Sequence, residues 1–202
     1  PPPPPPTTTL PTFRRQRQMC IRDSTSISSQ QQNRYRIANN YGTAIFQGDL
    51  VAMVTGGGIE RVAAGGSGLI LGVFNGCNYT DPTTGKPTWS NYYPGSVAAA
   101  DIIADVIDDP NATFEVQADA AFPVADLAGN FDIVDNSPVG DTTSGGSRME
   151  LDVTTGATTA TLPLKAIDIS QDPENSDVSS ANTNVIVKIN NHLFSAGTAG
   201  LA

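Results

Sequence analysis

Cys77 and His192 are the residues of this chain that most directly suggest catalysis. His192 is the only histidine among the 202 residues, so any imidazole-assisted chemistry would have to use it. A cysteine becomes a useful nucleophile when a neighbouring base takes its proton, and His192 is the sole imidazole available for that task. A thiol that follows an apolar strand is more often a small buried side chain. We therefore expect Cys77 to be a core residue and the protein not to be an enzyme.

Four aspartates form a second candidate site, because carboxylate oxygens are the ligands that a hard cation such as calcium prefers. Their spacing matches no EF-hand loop. Aspartate is also a frequent turn former, since its carboxylate accepts a hydrogen bond from the backbone two residues on. We expect turns here and no metal site or cofactor. The four residues are Asp101, Asp105, Asp108 and Asp109.

Two glycine runs, at residues 56–58 and 65–68, have the composition of phosphate-binding loops. A phosphate loop needs a following Lys-Ser or Lys-Thr pair and a helix N-terminus whose free N–H groups face the ligand. Neither run has these parts. Both runs are therefore predicted to be turns between strands.

Aromatic side chains are concentrated in residues 75–95, a stretch that also carries several proline and glycine turn signals. We expect a long polar loop here. Its aromatic residues could stack on a sugar or fill a pocket of a partner protein. They could equally close the open end of the protein's own barrel, and the sequence leaves both interpretations open. The four residues are Tyr79, Trp89, Tyr92 and Tyr93.

The composition limits the class of protein. The chain carries 20 acidic and 11 basic residues, a net charge of −9, with 19 glycines and 15 prolines. An acidic chain is a poor ligand for nucleic-acid phosphates, which are bound by clustered Lys and Arg. No apolar run approaches the roughly 20 residues that span a bilayer. We expect neither nucleic acid nor membrane as a partner.

Short strands between glycine turns predict an all-β fold. Residues 34–76 contain an apolar run at 50–54, an alternating segment at 59–63 and a second apolar run at 69–74. Alternation of apolar and polar residues is typical of a half-buried strand. These strands are predicted to form the core of a small β-barrel with long loops.

Later strands are expected between residues 101 and 189. Residues 102–107 and 113–118 flank an Asp-Asp-Pro-Asn turn signal, which predicts an additional β-hairpin. Residues 184–189 form the last predicted strand, and residues 196–202 are expected to be a flexible tail. Residues 25–195 are predicted to be a single β domain.

Residues 1–24, the N-terminal segment, do not follow this pattern of short strands and glycine turns. The chain opens with six prolines and three threonines, a low-complexity stretch. Residues 14–24, RRQRQMCIRDS, match in full the conceptual translation of a transposase-type sequencing adapter. We therefore exclude this segment from fold reasoning, and predict that it is disordered and packs against nothing.

Three segments of the core resemble the capsid decoration (cement) proteins of tailed bacteriophages. These segments read NRYRIANNYGTAIFQGDLVAMV, GGIERVAAG and GLILGVFNGCNY, and in that family such strands build a small β-barrel or β-tulip. ATFEVQADAAF, ATLPLKAIDI and NVIVKIN resemble the later strands of the marine-podovirus type. The resemblance covers residues 33–194.

The resemblance implies a non-enzymatic virion protein that binds and stabilises the shell of major capsid protein. It also implies a homo-oligomer, for which a trimer is one arrangement, located at the capsid surface and assembled in the cytoplasm of a bacterial host. The four aromatic residues are the candidate partner contacts. Two alternatives stay open, namely another virion component such as a head fibre or tail protein, and a carbohydrate-binding β module using Trp89, Tyr92 and Tyr93.

Overall fold

The computed structural model describes residues 20–21, 32–135, 139–171 and 176–195. Regular structure in these ranges consists of β-strands and one 3-10 turn at Val124–Asp126, which confirms the predicted all-β class. The strands are β1 (Cys20–Ile21), β2 (Gln32–Ile37), β3 (Ile45–Phe46), β4 (Leu50–Met53), β5 (Gly58–Arg61), β6 (Gly72–Thr80), β7 (Pro87–Ser90), β8 (Tyr92–Tyr93), β9 (Ile103–Ile107), β10 (Thr113–Gln117), β11 (Asn130–Val134), β12 (Gly140–Asp141), β13 (Gly146–Ser147), β14 (Glu150–Ala157), β15 (Leu164–Ile169) and β16 (Asn184–Ile189).

Strands β4, β5, β2, β9 and β6 form a closed five-stranded barrel. β4 pairs with β5 on one side and with β6 on the other, where Leu50 lies opposite Val73, and this second pairing closes the sheet. β2 and β5 run parallel, whereas β9 is antiparallel to both β2 and β6. The predicted small β-barrel is confirmed. It is not complete within residues 34–76, however, because β9 is one of its walls.

The barrel interior is filled by side chains at every second strand position. On β9, for example, Ala104 and Val106 are fully buried, while Ile103 before them and Asp105 between them are only partly buried. Successive side chains of a strand point to opposite faces, so this alternation is the sequence pattern made visible. The largest interior side chains are Phe74 and Tyr93.

A second, antiparallel sheet has the order β1-β10-β16-β15-β11-β14. Ala118, directly after β10, forms an isolated β-bridge with Leu151 of β14. This bridge brings β14, the last strand in the order of the sheet, close to β10. The sheet surrounds its own apolar core, to which the barrel side of the molecule contributes Leu50, Val73 and Ile107. The barrel and the second sheet, which we call the two units, therefore bury apolar surface against each other. Burial of apolar surface is the main favourable term in folding.

A buried ionic cluster joins the barrel to the second unit. Asp49 is fully buried, and its carboxylate accepts hydrogen bonds from Phe46 N–H at 2.8 Å, from Arg61 Nε at 2.9 Å and from Ser147 Oγ at 2.5 Å. Arg61 Nη2 donates to Asp135 Oδ1 at 2.5 Å, and the Arg61 side chain is 4% exposed. Because Ser147 and Asp135 come from beyond the barrel, this cluster fixes how the two units meet.

The predicted hairpin between residues 102–107 and 113–118 is wrong. The first segment forms β9 of the barrel, whereas the second forms β10 and pairs with β16 in the other sheet. Alternation identifies a strand and its buried face but not its partner. The residues between the two strands carry the chain from one sheet to the other. Hairpins do form elsewhere, at β4–β5, β6–β7 and β12–β13.

The long loop predicted for residues 75–95 is also wrong. β6 continues to Thr80, and β7 and β8 follow, so most of this stretch is extended. Tyr, Trp and Thr favour strands, and here they outweigh the turn signals. The turn itself is confined to residues 81–86, where Asp81 N–H donates to the Lys86 carbonyl at 3.0 Å.

The prediction that residues 1–24 pack against nothing is wrong at β1. Cys20 lies opposite Glu115, and Ile21 opposite Phe114, in antiparallel pairing with β10. The backbone groups of an open sheet edge can pair with any extended segment, whatever its side chains. An adapter-like sequence can therefore add a two-residue strand. The rest of residues 1–24 and the predicted tail at 196–202 lie outside the described residues.

Candidate functional site

Cys77 lies inside the barrel, where it is fully buried. Its Sγ is 3.7 Å from the carbonyl oxygen of Tyr92, to which the thiol donates. Burial, with a further contribution from Asp105, raises the pKa of the Cys77 thiol to about 12. Since the thiolate is the reactive form, Cys77 is a poor nucleophile at neutral pH. The predicted core position is confirmed.

His192 is also fully buried, and its contacts are separate from those of Cys77. Its Nδ1 accepts a hydrogen bond from the backbone N–H of Phe194 at 3.0 Å. Burial lowers the pKa of His192, so the imidazole is neutral and carries its proton on Nε2. Among the described residues Nε2 has no hydrogen-bond partner. The two side chains do not form a nucleophile–base pair in this structure.

Both glycine runs lie in turns, as predicted. Gly56 and Gly57 lie in the turn between β4 and β5, and Gly58 begins β5; across this turn Val54 N–H donates to the Gly58 carbonyl at 2.9 Å. Gly57 has φ +76°, a conformation that a side chain disfavours. In the second run, Gly65 N–H donates to Asp132 Oδ2 at 2.7 Å, which ties this turn to β11 of the other unit.

The four predicted aspartates have separate partners. Asp109 accepts from Asn111 N–H at 2.8 Å, the turn geometry expected of it. Asp108 is buried and accepts from Asn33 Nδ2 at 2.9 and 3.0 Å and from the Tyr35 hydroxyl. Within the ranges that the structure describes, no three His, Cys, Asp or Glu side chains are grouped so that they could hold a metal ion.

Tyr93 lies in the barrel core, and Tyr79 packs against that core from a partly exposed position. Tyr93 is fully buried, and its hydroxyl donates to the Tyr41 carbonyl at 2.8 Å and accepts from Val97 N–H at 3.2 Å. Tyr79 is partly buried against the same core, and burial raises the pKa of its phenol. These two rings favour the interpretation in which aromatic residues close the protein's own barrel.

Tyr92 and Trp89 have different surroundings. Tyr92 is partly buried and stacks on Phe46, with ring centroids 5.4 Å apart and planes 4° from parallel. Trp89 is 60% exposed. Its indole lies against Gly76, because a Cβ built on that glycine would stand 3.1 Å from Cζ2 of the ring. Trp89 is therefore the most exposed member of the predicted set.

An open groove of about 410 Å³ lies beside Trp89, on the outer face of the β6–β7 hairpin. Strand register places Asn78 opposite Trp89 and Thr80 opposite Pro87. Because Cys77 points into the barrel, Asn78 and Thr80 on either side of Tyr79 point out. The groove is lined by Asn78, Tyr79, Thr80, Pro87, Thr88, Trp89 and Asp101.

The groove carries negative charge. Asp101 accepts from Thr80 N–H at 3.2 Å and from Thr80 Oγ1 at 2.6 Å, and these hydrogen bonds lower the pKa of its carboxyl. Nearby, Asp105 pairs with Arg34 Nε at 3.3 Å and accepts from Asn78 Nδ2 at 3.4 Å. Both carboxylates retain lone pairs that could accept hydrogen bonds from a ligand.

Asn78, Thr80 and Asp101 were not predicted as members of a shared site with Trp89. The first two could have been found from the sequence if residues 75–95 had been interpreted as a hairpin around the turn at 81–86. Counting back from that turn pairs Asn78 with Trp89. Asp101 has no comparable signal, since its place beside Thr80 depends on β9 pairing with β6.

The chain matches no protein-family model, no curated protein and no solved structure. Among the described residues there is no helix long and apolar enough to cross a bilayer.

Proposed function

We propose that this chain is a non-enzymatic structural protein of a tailed-phage virion, which binds and stabilises the shell formed by the major capsid protein. The observation that carries the proposal is the distribution of side chains. The sole histidine and Cys77 are fully buried, while four large apolar side chains among the described residues are exposed, namely Trp89, Val124, Ile167 and Phe194. Such a molecule is suited to presenting surfaces to a partner, and the sequence resemblance supplies the partner.

The contact surface that we assign to the shell is an apolar patch on the second unit, formed by Val124 and Ile167. Their exposed fractions are 59% and 45%. The turn that carries Val124 is joined to β15 by hydrogen bonds between Ala128 N–H and Ala166 O and between Ala166 N–H and Gly129 O, each 3.0 Å long. The segment that follows Val124 therefore lies next to the strand that carries Ile167, and we assign both side chains to one surface because exposed apolar patches often mark protein interfaces.

Regular alternation along β15 explains why Ile167 is exposed, because Leu164 and Ala166 face inward while Lys165 and Ile167 face away from the core. A β-bulge follows, since Ala166 pairs with Val187 and Asp168 with Ile186. A bulge shifts the alternation of the residues beyond it. This one leaves Asp168 exposed beside Ile167 and returns Ile169 to the buried face.

Shell stabilisation of this kind requires binding and no chemistry. A protein that binds the assembled shell but not its dissociated subunits stabilises the shell by mass action, by about 2.7 kcal/mol per site at a free concentration a hundred times Kd. We further propose that the protein is a homo-oligomer on the capsid surface, with a trimer as one arrangement. Light scattering of the purified protein measures this directly.

The experiment is to mix the protein with expanded, undecorated heads of its own phage and to measure co-sedimentation and the shell melting temperature. We expect saturable binding at micromolar concentration and a higher melting temperature. The double variant Val124→Asp with Ile167→Asp should lose binding, whereas Trp89→Ala should retain it. Absence of wild-type binding at micromolar concentration would refute the proposed function. Binding that survives the double variant would refute the assigned surface.

A further inference from the structure

Trp89 is held as a flat platform on the outer face of the barrel. The indole packs against the backbone of Gly76. A Cβ built on this glycine would stand 3.1 Å from Cζ2 and 3.4 Å from Cε2 of the ring. Despite this support the side chain is 60% exposed. A rigid aromatic ring offers a large contact area at a low cost in conformational entropy. Such a ring is suited to stacking against a planar or slightly curved ligand face.

The groove beside this platform has the volume of a small-molecule site, and it is lined by two aromatic rings and several polar side chains. Its volume of about 410 Å³ falls within the range of roughly 300–1,000 Å³ typical of ligand pockets. Polar groups surround the ring, and they offer both kinds of hydrogen-bonding capacity. Asn78 and the threonine hydroxyls can donate and accept, and the Asp101 carboxylate accepts.

Charge narrows the class of ligand. Thr80 donates to Asp101 from its backbone N–H and from its hydroxyl, and these hydrogen bonds hold the carboxylate in its ionised form. The Asp105 carboxylate lies beside Asn78 and is paired with Arg34, so the uncompensated charge of the groove is that of Asp101. The whole chain has a net charge of −9, so phosphate, sulfate and carboxylate ligands would be repelled. A ligand rich in hydroxyl groups would donate to these oxygens, and its apolar C–H face would lie on the indole.

We propose that this groove binds a neutral oligosaccharide, with Trp89 as the stacking platform and with Asn78, Thr80 and Asp101 as hydrogen-bonding partners. Tyr92 and Tyr93 take no part, since the first stacks on Phe46 and the second lies in the barrel core. The site is distinct from the apolar patch of Val124 and Ile167. It does not depend on the chain being a capsid protein.

The test is a glycan array probed with the full chain, carrying neutral hexose and N-acetylhexosamine oligosaccharides beside sialylated and sulfated ones. We expect binding to neutral members. Titration calorimetry with the best neutral oligosaccharide should then show an affinity loss of roughly tenfold or more for Trp89→Ala, since 1.4 kcal/mol of stacking corresponds to a factor of ten. Trp89→Phe should retain part of the affinity.

Two further variants separate the site from general effects on the fold. Val124→Ala removes an equally exposed apolar side chain elsewhere and should leave glycan affinity unchanged. Asp101→Asn keeps the shape of the groove but weakens an acceptor, and should reduce affinity several-fold. Three results would each overturn the proposal: no binding to any neutral glycan, a preference for the anionic glycans, or binding that Trp89→Ala leaves intact.

Discussion

The buried cluster of Asp49 and Arg61 should contribute a large part of the stability of this protein. Replacing Arg61 by Met keeps the aliphatic stem in place but removes the charge, and it leaves the Asp49 carboxylate, which is fully buried, without its cation. Removing one partner of a buried ion pair costs about 3–5 kcal/mol. Whole domains are stable by only about 5–15 kcal/mol. We therefore expect Arg61→Met to remove a substantial fraction of the free energy of unfolding.

The pH dependence of this loss gives the prediction its sharpest form. Burial raises the pKa of Asp49, and the positive charge of Arg61 opposes that rise. In Arg61→Met the opposing charge is gone, so the folded-state pKa of Asp49 moves further above its unfolded-state value. A group of this kind binds its proton more tightly in the native state, and its contribution is lost as pH rises through the folded pKa. The deficit of the variant should therefore be smaller at about pH 5 than at about pH 8.

Urea unfolding followed by far-UV circular dichroism measures these free energies. Arg36→Met on β2 is the matched control, because Arg36 is exposed, and it should change stability by no more than about 0.5 kcal/mol. The double variant Asp49→Asn with Arg61→Met should be less destabilised than the two single variants summed, since it leaves no unpaired buried charge. An Arg61→Met deficit below about 1 kcal/mol, or one that grows towards acid pH, would show that the cluster does not stabilise the fold in this way.

Three further predictions concern buried or crowded positions. Cys77 should react slowly with a thiol reagent, because burial raises its pKa to about 12. In a Cys20→Ser background at about pH 8, we expect the reaction in the native protein to be at least a hundredfold slower than in urea. Equal rates in the two conditions would contradict this prediction. Gly72→Ala should lower the free energy of unfolding by at least about 2 kcal/mol, because the added Cβ would stand 2.1 Å from a backbone oxygen. Gly42→Ala is the control and should be nearly neutral, since nothing lies within 4 Å of its added Cβ. Similar unfolding midpoints for the two variants would refute this prediction. Burial lowers the pKa of His192, so stability should fall as pH drops below about 6.5, and His192→Asn should flatten that dependence; an unchanged slope would assign it to other groups.

Much of the local structure could be read from the residues. The alternating and apolar runs at 50–54, 59–63 and 184–189 correspond to β4, β5 and β16. The glycine runs are turns because glycine tolerates positive φ, a property of single residues that needs no knowledge of the fold. The buried position of Cys77 follows the same local logic, since it lies at an inward position of a strand.

Pairing between strands could not be read in this way. β9 and β10 have the same burial pattern and are separated by a short connection, yet they belong to different sheets. Period-two alternation specifies which face of a strand is buried, and every buried face is compatible with many partners. The cluster of Asp49 and Arg61 shows the same limit, because Asp49 meets Ser147, which is 98 positions away in sequence.

The aromatic residues of β6, β7 and β8 show which properties depend on sequence alone and which depend on tertiary structure. The sequence by itself placed four large rings within residues 75–95 and left open whether they close the barrel or bind a partner. Tertiary structure alone decided that Tyr93 is core, that Tyr92 stacks on Phe46 and that Trp89 faces a groove with Asp101. Side-chain type sets what a residue can bind, and the direction in which it points depends on strand register and closure, which arise from contacts between distant parts of the chain.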